Sequence, residues 1–392
     1  MGPMRLADSM ARLGSESAFE VLAKAKAVEA AGKHVVHLEI GEPDFATPAN
    51  VVEAGIEALQ SGATHYTPAA GIPELREAIA ADAGRRRGIE VRPSEVVVTP
   101  GAKPIMFFGL MALANPGDEV VYPDPGFPIY QSVISFLGAK SVPIPLRETS
   151  DFVFDLDLLR SAVGPRTRLI VLNSPQNPTG GVLDRSAIED VAELAQRYDC
   201  WVLSDEIYSR ILYEGEHVSI ASLPGMRERT IVLDGFSKTY AMTGWRLGYG
   251  IMPALLADQI AKLAVNSVSC TASFTQHAGI AALQGSQQPV DDMVAEFRAR
   301  RSLVVEGLNA ISGITCRWPK GAFYAFPNIT GLGLTSSALA DRLLLDHGVA
   351  TLSGSSFGAA GEGYLRLSYA TSRENLQEAL RRIGTAAAEL TR

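Results

Sequence analysis

The sequence predicts an α/β fold: a large domain with a mostly parallel sheet covered by helices on both faces, plus a smaller α+β domain built from both chain ends. Three observations carry this. Short apolar runs alternate with helical patterns from about residue 35 to 285, which is how strands buried on both faces read. Polar residues and glycines follow several of those runs directly. After about residue 290 the alternation gives way to charged helical stretches separated by brief apolar ones. The 392 residues, 47% hydrophobic and 20% charged, are enough for two cores.

The elements follow in order. Ser17-Ala18-Phe19-Glu20 has the form of a capping box and opens a helix running to about Gly32. A strand is expected over Val35–Ile40, broken by Gly41-Glu42-Pro43-Asp44. Further strands are expected over Glu95–Thr99, Glu119–Tyr122, Arg168–Leu172, Trp201–Ser204, Thr230–Leu233 and Leu247–Ile251. Helices fit Pro73–Arg86, with proline at its first position, and Lys103–Ala114, Arg185–Tyr198 and Leu256–Val265. Beyond them come a long helix over Asp291–Ile311, a strand-like Gly321–Pro327, a helix over Ser336–His347, a strand-like Tyr364–Tyr369 and a last helix from Ser372. Residues 1–43 are expected to join the small domain, 44–290 to form the large one and 291–392 to complete the small one.

Composition excludes several functions. The net charge of −8 argues against a nucleic-acid partner. The basic run Arg85-Arg86-Arg87 reads as the solvated end of a helix. Cys200, Cys270 and Cys316 are odd in number and lack metal-type spacing, so neither a disulfide framework nor a metal site is expected, and a reducing compartment fits. No apolar segment follows Arg5 and Arg12, and the most apolar window, residues 105–114, is too short to cross a bilayer. A cytoplasmic protein without a membrane partner is expected.

The chemistry concentrates where strands end. Lys238 stands just past the apolar run Ile231-Val232-Leu233, where open α/β sheets place their ligands. Desolvation there lowers a lysine's pKa and makes it a nucleophile toward carbonyls. Arg246 supplies a planar cation suited to phosphate. The two suggest a lysine Schiff base to a phosphorylated aldehyde. Asn173 and Asn177 follow the Leu169–Leu172 run, Asp205 and Tyr208 follow Trp201–Ser204, and Gly101-Ala102-Lys103 follow Val96–Thr99. Parallel strands bring such ends to one edge.

The segments Gly41-Glu42-Pro43-Asp44-Phe45, Ser174-Pro175-Gln176-Asn177-Pro178-Thr179-Gly180, Ser204-Asp205-Glu206-Ile207-Tyr208, Ser237 to Arg246 and Tyr364-Leu365-Arg366-Leu367-Ser368 occur in that order. They resemble the motifs of the class I/II, fold-type I, pyridoxal-phosphate-dependent aminotransferases of the aspartate aminotransferase type, and the likeness runs from about residue 15 to 390. The resemblance implies that Lys238 binds pyridoxal 5'-phosphate and then serves as acid and base. It implies that Asp205 keeps the pyridine nitrogen protonated, and that Asn177 and Tyr208 bond the ring's phenolate oxygen. Ser237, Arg246 and the amides of Gly101, Ala102 and Lys103 would hold the phosphate. Phe127 would stack on the ring, and Arg366 with Gly41 would take the substrate carboxylate. Tyr66 would reach the neighbouring active site of a homodimer.

Pro104 stands where many members carry glutamine; it removes an amide there but suits a first helical turn. For a distal substrate carboxylate the candidates are Lys103, Arg210 and Arg317. The implied reaction moves the amino group of an L-amino acid, aspartate-like or of broad range, to a 2-oxo acid such as 2-oxoglutarate. A carbon–sulfur β-lyase on the same scaffold is the alternative.

Overall fold

The apolar runs assemble into one seven-stranded sheet. A computed structural model describes residues 5–390. The strands lie in the spatial order Val96–Thr99, Gly248–Ile251, Thr230–Gly235, Trp201–Asp205, Thr167–Asn173, Glu119–Asp124 and Lys140–Pro145. Gly248–Ile251 runs antiparallel to both its neighbours, and every other neighbouring pair is parallel. Because successive side chains of a strand point to opposite faces, each strand feeds two cores. Val120, Val171, Leu203 and Ile231 pack on one side. Val121, Ile170, Leu172 and Val202 pack on the other. Each such side chain contributes roughly 1.5–3 kcal/mol on burial.

The small sheets lie apart in the chain. Leu352–Ser353, Leu365–Ser368 and Tyr324–Ala325 form an antiparallel trio. Val36–His37 pairs in parallel with Val349–Ala350, and the helix Ser17–Ala30 packs against this last strand and the helix Ser336–Leu345. The helix Gln288–Asn309 runs without a break across the expected 290/291 boundary. Among the described residues no helix is long and apolar enough to cross a membrane.

Several local expectations need correction. Ser17 is the first helical residue; Glu16 is the cap position and makes no side-chain cap bond. Glu20 is instead held by the Ser15 hydroxyl at 2.7 Å, and the helix stops at Ala30. The strand at Val35–Ile40 shrinks to two residues: Leu38 O switches to the N–H of Ser368 at 2.8 Å, and beyond it Glu39 O accepts from the Arg366 side chain and Gly41 O from Lys238. The Gly321–Pro327 strand likewise shrinks to Tyr324–Ala325. The strand Lys140–Pro145 was not expected, since its Pro143 and Pro145 are tolerated only because it lies at the sheet edge. The helices Ala49–Gln60, Ile129–Phe136, Leu156–Ala162 and Ser273–Gln284 were also missed.

The basic run at 85–87 is the largest correction. Only Arg85 is solvated; Arg86 and Arg87 turn inward, their side chains 16% and 2% exposed, to pair with Asp82, Glu206 and Asp234. The buried carboxylates beneath the helix end draw them in.

Candidate active site

The strand ends meet the N-terminal segment and the strand Leu365–Ser368 around one cavity of about 860 Å³. Lys238, Asp205, Asn177, Tyr208, Ser237, Arg246, Gly41 and Arg366 line it, with Ala102, Lys103 and Phe127. Gly101 stands behind Arg246: at its φ of +80° a Cβ would come within 2.1 Å of the guanidinium, so glycine is required for this approach. Tyr66 lies outside the wall and is 89% exposed. Of the three candidate cations, Lys103 alone lines the cavity. Arg210 faces Gln287 and Asp291, and Arg317 faces Glu148 and Asp151.

Asp205 closes its strand beside Asn173, its partner in register. Asn173 donates to the Asp205 carbonyl at 3.2 Å and accepts the Asn177 N–H at 2.9 Å, which fixes the turn between them. The Asp205 carboxylate accepts only from the Tyr130 hydroxyl at 2.5 Å and the Ile207 N–H at 3.2 Å among the described residues. Burial pushes its pKa up to about 6; the two donors oppose this, and the charges of Asp234 and Glu206 add to it. A buried carboxylate so sparsely satisfied suits a cationic partner.

Lys238 follows the strand Thr230–Gly235 and donates to the Gly41 carbonyl. Burial pushes its ammonium down to about 8, with Arg366 and Lys103 adding to the effect against Glu42 and Glu16. It therefore carries a far larger unprotonated fraction near neutral pH than an exposed lysine, which favours carbonyl capture. Gly41 cannot be replaced without moving Tyr324, whose hydroxyl would lie 2.3 Å from an added Cβ. That hydroxyl bonds Tyr208 at 2.7 Å.

Arg366 is 3% exposed, with its guanidinium over the rings of Tyr324 and Phe357 at 4.7 and 5.1 Å. It donates to Glu39 O and, at 3.4 Å, to Asn177 Oδ1, while its buried Nε has no partner. Burial lowers its pKa. A buried guanidinium that lines the cavity and whose own-chain partners do not saturate it fits a carboxylate ligand. Arg246, at φ +55°, donates to Thr243 O at 2.8 Å and leaves the rest of its fork exposed beside Ser237 and the start of the helix Lys103–Leu113. Pro104 occupies the first turn of that helix, where no intrahelical amide bond is lost.

Sequence reasoning missed Tyr130 and Tyr324. Tyr130 is fully buried in the unexpected helix Ile129–Phe136, and Tyr324 sits in a two-residue strand. Neither has a local signal; only the fold brings them to Asp205 and Tyr208.

The chain's similarities agree with this geometry. The profile of the aminotransferase class I and II family matches residues 33–383. An aspartate aminotransferase of Pyrococcus abyssi is 43% identical over 360 residues, 91% of this chain and 92% of the relative. An arginine–pyruvate transaminase of Pseudomonas aeruginosa is 40% identical over 389 residues, 99% of each chain. The aspartate aminotransferase of Thermus thermophilus solved with maleate superposes with a TM-score of 0.94 at 39% identity, covering 98% of this chain and 100% of that one. With a mostly parallel sheet whose strand ends surround a partly buried lysine, and with matches of this extent, the chain belongs to the class I and II aminotransferases, a family that uses pyridoxal phosphate.

Proposed function

We propose that the protein moves the amino group of an L-amino acid, aspartate-like or of broad range, to a 2-oxo acid, foremost 2-oxoglutarate, in a ping-pong cycle centred on Lys238. The observation that carries the reading is that Lys238 and Asp205 face one cavity, each driven toward its neutral form by burial, with the unsaturated guanidinium of Arg366 lining the same cavity.

Pyridoxal phosphate would be held at both ends. Ser237, Arg246 and the amides of Gly101, Ala102 and Lys103 would take the phosphate, where a helix start favours an anion. Asp205 would keep the proton on the ring nitrogen, and Tyr130 would hold Asp205 in place. Asn177 and Tyr208 would bond the ring's hydroxyl oxygen, with Phe127 against the ring face. When bound, the cofactor supplies a conjugated ring that accepts the electron pair left at the substrate Cα. Lys238 Nζ would take the proton from Cα and deliver it to the cofactor's C4′. Arg366 would clamp the α-carboxylate against Gly41, through charge-assisted bonds of roughly 1.5–3 kcal/mol each.

Lys103 would face a distal carboxylate. It now pairs with Glu16 at 2.5 Å, and an acidic substrate would compete with that partner. The extreme exposure of Tyr66 supports its burial against a second copy of the chain, in a homodimer that shares its active sites. The relatives' names, one aspartate aminotransferase and one arginine–pyruvate transaminase, support transfer over carbon–sulfur elimination.

The test is a half-reaction. Cofactor-loaded protein mixed with aspartate alone should shift its visible absorbance band, and 2-oxoglutarate should restore it; a donor panel with 2-oxoglutarate and pyruvate then ranks the substrates. No shift with acidic, basic, aromatic or branched-chain donors contradicts the reading. Pyruvate release from cystathionine without an acceptor would replace it with the lyase.

A further inference from the structure

Behind Asp205 lies a buried group of charges that the reading above does not use. The helix Pro73–Arg87 ends at Gly88 with φ +66°, and its last turn delivers Arg87 inward. The Arg87 side chain is 2% exposed and forks between two strands. Its Nε donates to Glu206 Oε2 at 2.7 Å and its Nη2 to Asp234 Oδ2 at 2.7 Å. Glu206 directly follows Asp205. Asp234 lies on the adjacent strand, four positions before Lys238 (238 − 234). The two strands pair in parallel, with Asp205 opposite Leu233. One guanidinium therefore ties the strand end that carries Asp205 to the one that leads to Lys238.

Both carboxylates are well satisfied, which favours one fixed arrangement, while the buried Nη1 of Arg87 has no partner. Glu206 Oε1 accepts the hydroxyls of Ser204 at 2.9 Å and Ser219 at 2.6 Å, and His217 stands 3.0 Å from Oε2. Asp234 also accepts from Arg86 at 3.3 Å and Tyr249 at 3.1 Å. A buried ion network is weak evidence for stability, since packed apolar side chains often serve as well. What this one supplies is geometry and charge balance. Asp205 has the phenols of Tyr130 and Tyr208 on its cavity side and the carboxylates of Glu206 and Asp234 behind it. Arg87, with Arg86, pairs with those two carboxylates and so offsets charges that favour a proton on Asp205.

We propose that Arg87 is a positioning residue for the reaction: it locks the Asp205 and Lys238 strand ends in register and keeps Asp205 ionised. The inference rests on the assignment of those two residues to the cofactor. It is tested with Arg87→Lys, which keeps the charge but not the fork, with Arg87→Met, which removes both, and with the solvated neighbour Arg85→Ala as control. Melting temperature is measured on the cofactor-free proteins, and pyridoxal phosphate affinity by equilibrium dialysis as a function of pH. Arg87→Lys should fold and bind the cofactor about tenfold or more weakly, as small misplacements of reacting groups do. Arg87→Met should also move the acid limb of binding to higher pH, and Arg85→Ala should match the parent. If Arg87→Met does not fold, Glu206→Gln replaces it: loss of the tie should weaken cofactor binding, and loss of a negative charge near Asp205 should move the acid limb to lower pH. A folded variant at 87 or 206 that binds with parental affinity and an unmoved acid limb, whatever its melting temperature, overturns the proposal. Failure of the underlying assignment shows separately, as a parent protein that takes up no cofactor on Lys238, and that result overturns the proposal too.

Discussion

Asp205 and Glu206 are adjacent carboxylates in opposite conditions. Asp205 faces the cavity with two hydrogen-bond donors, and burial pushes it up to about 6. Glu206 faces the backing layer; burial alone would push it up as well, but Arg87, His217 and Ser219 outweigh that and hold it well below the usual carboxylate range. The difference separates two uses of buried charge. A carboxylate that holds a fold is saturated by partners of its own chain, whereas one that serves a ligand is left short of them.

The comparison can be broken by substitution, and the largest effect is expected on its cavity side. Lys238→Ala should lower transamination by about a thousandfold or more while the protein stays folded, because no other group replaces the acid and base. Steady-state rates with a circular dichroism control check this. Next comes Glu206→Gln, which beside its weaker cofactor binding should cost stability, about 3 kcal/mol in urea unfolding, since it unbalances a buried ion group. Asp205→Asn should do the reverse: turnover falls by about a hundredfold and the cofactor-free protein loses no stability, gaining on the parent above pH 6. Here the sign of the pH dependence discriminates. Asp205's folded pKa is raised from 3.8 to about 6, so its stabilising contribution is complete below the unfolded value and lost as pH rises through 6. Glu206's is depressed, so its contribution is present above the unfolded value of 4.5 and lost as pH falls below it. Denaturation at several pH values should therefore show the two variants diverging from the parent in opposite directions.

Smaller effects sharpen the picture on the substrate side. Arg366→Lys keeps a cation but not a fork, and kcat/KM should fall by about ten- to a hundredfold, since each charge-assisted bond contributes roughly 1.5–3 kcal/mol. Tyr324→Phe removes one neutral hydrogen bond to Tyr208 and should cost only about fivefold in kcat/KM.

Much of this was legible in the sequence, and the reason is geometric. Parallel strands put the residues after each apolar run at one edge, so Asn177, Asp205, Tyr208 and Lys238 could be gathered before any coordinates. Tyr130 and Tyr324 could not, because an aromatic in a helix or a two-residue strand looks like ordinary core. Arg87 was misread because a basic run at a helix end has the same sequence whether water or a buried carboxylate lies beneath it. The strands at Val36 and Tyr324 were expected but drawn too long, and the one at Leu352 escaped, for a related reason. Two residues carry no periodicity, and their pairing is decided by partners elsewhere in the chain, Val349 for Val36, Ser368 for Tyr324 and Arg366 for Leu352.

The most direct measurement is chemical. Protein loaded with pyridoxal phosphate is reduced with borohydride, digested and mapped by mass spectrometry. The pyridoxyl group should be found on the peptide containing Lys238, and its formation rate should rise with pH about a midpoint near 8 as that ammonium loses its proton. A label on Lys103, on any other lysine or on none would contradict the account.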